Sequence, residues 1–234
     1  VQLAVQCTTQ NASQSGISYP EVLRTTHCLI SANHQATATP SIWKPMAEQV
    51  RALVLFGVSQ YKPLALAAFR ILKADEAVKI LKDCVTLSFR FNVISRLGTH
   101  ELEKRFNEAA LGLQSGTVVT ANGVRELLRS VYVDDDQFRA DFEVFRQAVS
   151  SKGKKIIRYI LCELERQNSG QDLNWSTAEA TIEHILPDSL DAHWETLFTE
   201  DEHARYVERL GNYTLLEYGK NKGIGQQAFA RKSV

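Results

Sequence analysis

Glu183 and His184 stand side by side in the chain, and two asparagines, Asn212 and Asn221, follow within one short stretch. Hydrolysis of a phosphodiester needs a nucleophilic water, stabilisation of the charge on the phosphorane-like transition state, and stabilisation of the departing 3′ oxygen. A histidine with a pKa near neutrality can activate the water, and one divalent ion can supply both kinds of stabilisation. Carboxylate and amide oxygens suit magnesium. The residues therefore indicate a one-metal phosphodiesterase site, with His184 as general base and with Glu183 and Asn221 as metal ligands.

The segments around these residues predict two short strands and a helix. Residues 180–186 predict a strand that Pro187 ends, residues 212–217 predict a second strand, and residues 220–232 predict a final helix. This order is that of a ββα unit. Neighbouring residues of a regular strand point to opposite faces of the sheet. Glu183 and His184 can therefore converge only if the first strand ends or carries a bulge there.

Two further helices are expected between the strands. Residues 190–198 have a helical pattern, and Thr199 with Glu202 forms the pattern of a capping box, which predicts a helix over residues 202–210 that Gly211 closes. These elements form the insertion of the ββα unit.

The chain before residue 168 has apolar residues at helical spacing. We expect helices over residues 47–56, from Pro63, and from a capping Asp75. Three further apolar stripes predict helices: Leu102, Phe106, Ala109 and Leu113; Phe138, Phe142 and Phe145; Ile156, Ile160 and Leu164. The predicted fold class is mainly α, with an irregular segment over 1–45, an all-helical domain over 46–168, and a small ββα-metal, HNH-like domain over 171–234. The polar break at 167–172 marks the boundary.

Charge is distributed unevenly although the net charge is zero. Residues 172–202 contain nine acids and no Lys or Arg, whereas residues 203–234 contain six Lys or Arg residues and two acids. A basic excess beside the candidate site suits a phosphate backbone, and its alternative explanation is a solvated helix face. The candidate DNA contacts are Lys220, Lys222, Arg231 and Lys232.

The four cysteines are scattered and form no CxxC pair, which argues against a zinc knuckle and a disulfide framework. A reducing cytoplasm therefore fits best. No apolar run approaches the roughly 20 residues that cross a bilayer, so no membrane association is expected. Because the chain begins with Val1 and stops directly after a strongly patterned segment, we expect it to be a fragment of a longer protein.

Three stretches of the sequence resemble one family. The run IEHILP, an insertion containing Trp194, and the run RLGNYTLLEYGKNKGIGQQAF are similar to the HNH-type, or His-Me finger, nuclease domain in the C-terminal half of GmrSD-type restriction endonucleases. Related phage-defence nucleases that sense modified DNA, phosphorothioate DNA among them, share this domain. The helical stretch ending IIRYILCELE resembles the region before it, so the resemblance covers about residues 60–234.

The resemblance implies a role for each site residue. His184 is the general base, Glu183 is a metal ligand, Asn221 is the metal-binding asparagine at a helix start, and Asn212 holds the loop that bears the base. Tyr213 departs from the leucine usual at its position. The implied activity is magnesium- or manganese-dependent DNA cleavage, with nicking as the default because one site cuts one strand. The resemblance also implies a separate N-terminal, ParB-like, nucleotide-hydrolysing half that senses DNA modification and is absent from this chain.

Two other functions remain open at this stage. The first is a catalytically silent DNA-binding or assembly module, which would keep the basic final helix without metal-dependent turnover. The second is a ribonuclease, because metal and histidine chemistry does not need to recognise the 2′-hydroxyl group. Each motif also has a structural explanation alone, as a surface turn around Glu183 and His184, a helix C-cap at Gly211, or an N-cap at Asn221.

Overall fold

The structure is a computed structural model that describes residues 43–177 and 180–217. Its contacts divide the chain into two compact units, Val1–Phe138 and Arg139–Val234. The described residues are mainly helical with a two-stranded sheet, so the prediction of a mainly α fold is confirmed. The α-helices of these residues are α1 (Trp43–Phe56), α2 (Lys62–Ile71), α3 (Ala74–Ser88), α4 (Thr99–Ser115), α5 (Ala121–Leu128), α6 (Asp135–Glu143), α7 (Ser151–Ser169) and α8 (Glu200–Tyr206).

The first unit has an apolar core between α1, α2, α3, α4 and α5. Helix α2 packs against α4, α1 packs against α3, and α5 packs against both α3 and α4. All four members of the predicted α4 stripe are fully buried: Leu102, Phe106, Ala109 and Leu113. Pro63 lies in the first turn of α2 as predicted, because a proline there removes no intrahelical hydrogen bond.

Three local predictions in the helical segments were wrong. Asp75 does not cap α3, because the residue before the helix is Lys73 and Asp75 lies within the first turn. Leu164 is 48% exposed, and the buried face of α7 turns through Ile157 instead. Phe145 is buried but lies beyond the last residue of α6, so its burial comes from a connecting segment. Helix α5, with Thr120 as its capping residue, was not predicted.

In the second unit, α7 packs against a pair of antiparallel strands, β1 (Ala180–His184) and β2 (Tyr213–Glu217). The segment between α7 and β1 folds back on that helix, since Trp175 meets the Tyr159 ring edge to face and Thr177 accepts a hydrogen bond from Arg158. The polar break predicted as a domain boundary, 167–172, therefore lies inside this compact unit. A functional boundary at residue 168 stays a prediction.

The insertion between the strands is less helical than expected. Residues 190–198 contain only a single 3₁₀ turn, Trp194–Thr196, whereas Thr199 and Glu202 form the predicted capping box at the start of α8. A second 3₁₀ turn, Leu210–Asn212, leads into β2. The final helix predicted over residues 220–232 and nearly all of the irregular segment 1–45 lie outside the described residues. Within the described ranges, no helix has both the length and the apolar character needed to cross a membrane.

Candidate functional site

The Glu183-His184 pair forms the end of β1. The strands pair without interruption, with Glu183 opposite Thr214 and His184 opposite Tyr213. Of the two alternatives, a bulge or a strand end, the pair shows the second, because the strand ends at His184. By the alternation of a strand, the two side chains leave opposite faces of the ladder. Both residues are half-buried.

Asn212 holds the segment that follows His184. Its carboxamide oxygen accepts a hydrogen bond from the Leu186 amide at 2.6 Å, and its nitrogen donates to the Leu186 carbonyl oxygen at 2.9 Å. The same nitrogen donates to the Val207 carbonyl oxygen at 2.9 Å, while the Asn212 carbonyl oxygen accepts from Ile185. Only 7% of Asn212 is exposed. A buried carboxamide with this many partners fixes the backbone after His184, because each buried polar group left without a partner costs about 1–3 kcal/mol.

His203 contacts the same segment from α8. One of its ring nitrogens, Nε2, lies 2.8 Å from the Pro187 carbonyl oxygen. A carbonyl oxygen only accepts hydrogen bonds, so Nε2 carries the proton in this arrangement. The His203 ring is part-buried and helps to position the residues after the candidate base.

Tyr213 packs directly against His184. Their ring centroids are 4.9 Å apart at an interplanar angle of 73°, an edge-to-face geometry, and Tyr213 is 4% exposed. The Tyr213 hydroxyl donates to the Gln147 carbonyl oxygen at 2.8 Å. Burial, followed by the negative charges of Glu208 and Asp188, raises the pKa of Tyr213 to about 12, so the hydroxyl stays protonated near neutral pH.

The segment between α6 and α7 is tied to the segment before β2 by several hydrogen bonds. The Gln147 amide donates to the Glu208 carbonyl oxygen at 2.9 Å, and Arg209 donates to the Glu143 carbonyl oxygen at 3.1 Å. At the start of α7, a Cβ on Gly153 would lie 2.0 Å from the Ala148 carbonyl oxygen, so glycine is needed for this approach. The Gln147 carbonyl oxygen is therefore held in place as the acceptor for the Tyr213 hydroxyl.

Part of the predicted site lies outside the described residues. Asn221, the second predicted metal ligand, and the predicted DNA contacts Lys220, Lys222, Arg231 and Lys232 are all in that part. Among residues 43–177 and 180–217, no three side chains of His, Cys, Asp or Glu lie close enough together to hold a metal by themselves. The carboxylate of Glu183 is the predicted metal ligand within these ranges.

Sequence reasoning missed three contributors to this arrangement: His203, Tyr213 and Gln147. The signal for Tyr213 was partial, because antiparallel pairing of the predicted strands, 180–186 and 212–217, brings residue 213 near residue 184 without fixing the register. No comparable signal existed for Gln147, whose contribution is made by its main chain, or for the His203 contact with Pro187.

One family model matches the chain. Residues 132–233 match the model described as GmrSD restriction endonucleases, C-terminal domain. The match includes α6, α7, α8, both strands and every predicted site residue, and it begins at residue 132 where the resemblance suggested about residue 60. No curated protein gives a match. The resemblance drawn from the motifs is confirmed over residues 132–233, which are similar to the C-terminal domain of GmrSD restriction endonucleases.

Proposed function

We propose that this chain is a magnesium-dependent DNA endonuclease of the HNH type that nicks DNA in a bacterial restriction or phage-defence system. The match to the family of restriction endonucleases supports a nuclease function. The proposal of an HNH-type site is supported most by Asn212, whose carboxamide bonds both polar main-chain groups of Leu186 just after His184. The antiparallel strand pair with the histidine at its end would be the ββ part of the proposed ββα unit, and residues 220–232 would supply its helix.

In the proposed mechanism, His184 accepts a proton from the attacking water. His184 is the last residue of β1, and Asn212 and His203 hold the main chain directly beyond it. A general base of this kind contributes about 100-fold to 10,000-fold in rate. The proposal requires the side chains of Glu183 and His184, which leave opposite faces of the ladder, to reach one phosphate around the end of the strand.

The donor set fits magnesium. Glu183 is a half-buried carboxylate at the strand end, and magnesium sites commonly use one or two carboxylates together with substrate phosphate oxygens and water. Asn221 would add a carbonyl oxygen from the helix start. When bound, the ion would stabilise the charge on the phosphate and on the departing oxygen. Manganese has similar ligand preferences and is the expected substitute.

DNA binding is proposed for the basic residues beside the site. Lys220, Lys222, Arg231 and Lys232 can contact phosphates, and the sequence contains no obvious element that reads bases. Binding by this chain should therefore tolerate any sequence and weaken as salt rises. We further propose that recognition of modified DNA belongs to a separate ParB-like, nucleotide-hydrolysing half.

The alternative is a catalytically silent DNA-binding or assembly module. It is disfavoured by the presence of Glu183, His184 and Asn221 together, because a silent domain would be free to lose any of them.

Cleavage assays with supercoiled plasmid and a structured RNA, each with magnesium and with excess chelator, test the proposal. We expect open-circular DNA to accumulate only with magnesium, with little cleavage of RNA. Cleavage of RNA alone would make the enzyme a ribonuclease. DNA binding without cleavage of either substrate would support the silent module.

A further inference from the structure

We propose that Tyr213 is a positioning residue that holds the imidazole of His184 in the orientation needed to accept a proton from water. This inference rests on the proposed role of His184 as the general base. It assigns to Tyr213 a function in the reaction and not only a place in the packing of the strand pair.

The strand register brings the two rings together. His184 and Tyr213 are directly opposite each other on β1 and β2, so their side chains leave the same face of the ladder. The 4.9 Å centroid separation and the 73° interplanar angle lie in the range favoured by edge-to-face aromatic pairs. With Tyr213 almost fully buried and His184 only half-buried, the tyrosine is the fixed partner of the pair.

A hydrogen bond from the hydroxyl group of Tyr213 sets the position of its ring. Its hydroxyl donates to the Gln147 carbonyl oxygen, and the Gln147 amide donates to the Glu208 carbonyl oxygen. A ring fixed at the backbone by a strand and at the hydroxyl by a hydrogen bond cannot turn about its Cα–Cβ bond without losing that bond. The tyrosine can therefore restrict the rotation of the imidazole.

Orientation matters for a histidine base because the two ring nitrogens point in different directions, and only one of them can face the attacking water. Asn212 bonds the main chain after His184, whereas the Tyr213 ring contacts the imidazole itself. Misplacement of a catalytic group by about 1 Å can cost roughly 100-fold in rate. A ring contact that excludes unproductive orientations should therefore raise kcat, without changing how tightly DNA or magnesium binds.

Three variants separate positioning from packing. Tyr213→Leu removes the ring, Tyr213→Phe keeps the ring but removes the hydroxyl, and Tyr206→Leu is the control, because Tyr206 is 41% exposed in the same unit. We expect kcat for nicking to fall by about 10- to 100-fold in Tyr213→Leu and by less in Tyr213→Phe. The KM for DNA and the magnesium midpoint should stay at the parental values in both. An unchanged kcat in folded Tyr213→Leu would overturn the inference.

A double-mutant comparison shows whether Tyr213 acts through His184. In a His184→Ala background, Tyr213→Leu should cause no further loss of the residual activity, whereas independent effects would multiply. Loss of cleavage in His184→Ala with full cleavage in Tyr213→Leu would overturn the positioning role alone. Full cleavage in both single variants would overturn the proposed base itself.

The contact can also be measured without activity. In the parental protein, NMR should show ring-to-ring NOEs between His184 and Tyr213, and the His184 ring protons should carry a shift from the tyrosine ring current. Both signals should persist in Tyr213→Phe and disappear in Tyr213→Leu. If Tyr213→Leu does not fold, the parental and Tyr213→Phe spectra still decide the matter, because absent NOEs in these two proteins would contradict the inference.

Discussion

The packing of α2 against α4 in the first unit and the strand pair of the second unit are held by different kinds of contact. Around α4, apolar side chains such as Leu102, Phe106 and Leu113 are fully buried. Around β1 and β2, the contacts that fix the backbone are largely polar, with Asn212, His203 and Tyr213 each bonded to a main-chain carbonyl oxygen.

The two kinds of contact suit different tasks, and the proposed chemistry lies in the region that is held by hydrogen bonds. Apolar packing is non-directional and its contribution grows with the area buried, so it suits a region whose task is stability. Hydrogen bonds have narrow limits of distance and angle, so a network of them can fix one loop accurately. The candidate base is in the region whose backbone is set by such bonds. Changes in the two regions should therefore separate effects on stability from effects on cleavage.

Asn212→Ala should have the largest combined effect. It leaves both polar main-chain groups of Leu186 and the carbonyl oxygen of Val207 without this partner, at a cost of about 1–3 kcal/mol for each group that stays buried. Nicking should fall by roughly 100-fold even at temperatures at which the protein stays folded, because the loop after His184 is no longer held. Urea unfolding and plasmid assays measure the two effects. A folded variant with the parental rate would show that the loop does not need this support.

Leu113→Ala is the matched change in the first unit. The side chain is 1% exposed, so its truncation should lower the free energy of unfolding by about 2–5 kcal/mol. Below the unfolding transition, the kcat for nicking should remain within about twofold of the parental value, since the change leaves every polar contact of the strand pair in place. A loss of kcat comparable to that of Asn212→Ala in folded protein would contradict the separation of roles.

Glu183→Ala and Asn221→Ala address metal binding. Each should raise the magnesium concentration that gives half-maximal nicking, because each removes an oxygen ligand from a site with few protein ligands. His184→Ala is the control, for which the rate should fall while this midpoint stays unchanged. Unchanged midpoints in both ligand variants would point to other ligands, with the exposed Asp188 as the first to examine.

The smallest expected effect is on the salt dependence of DNA binding. Neutralising Lys220 and Lys222 together should reduce the slope of log K against log salt by roughly one unit for each lost phosphate contact. The measurement is a salt titration of DNA affinity, with Lys62 and Lys73 of the first unit neutralised as the control. A sharp preference of the chain for one sequence or one modification would contradict the proposed phosphate-only contacts.

Local helical and strand patterns were predictable from the sequence, whereas the polar contacts that support the candidate site were not. The α4 stripe and the first-turn Pro63 were predicted because helical periodicity and capping are local properties of the chain. The strands and the capping box of α8 were predicted for the same reason, although residues 190–198 form only one 3₁₀ turn. Leu164 was misassigned because periodicity finds an apolar stripe but not the width of its buried part.

The sequence predicted which residue types form the candidate site, but it did not predict the contacts that hold them in place. Glu183, His184 and Asn212 could be proposed from their chemistry and from the family resemblance. The anchoring of Tyr213 to Gln147 and the contact of His203 with Pro187 could not, because they join residues far apart in sequence through main-chain oxygens. Main-chain acceptors have no signature in the amino-acid sequence.

The most direct test of the account is the rate of magnesium-dependent nicking of supercoiled plasmid by His184→Ala compared with the parental protein. We expect the rate to fall by about 100-fold to 10,000-fold, with the circular dichroism spectrum and the magnesium midpoint unchanged, because the base is lost while the strand and its supports remain. A purified, folded His184→Ala variant that nicks plasmid at the parental rate would contradict the assignment of His184 as the general base.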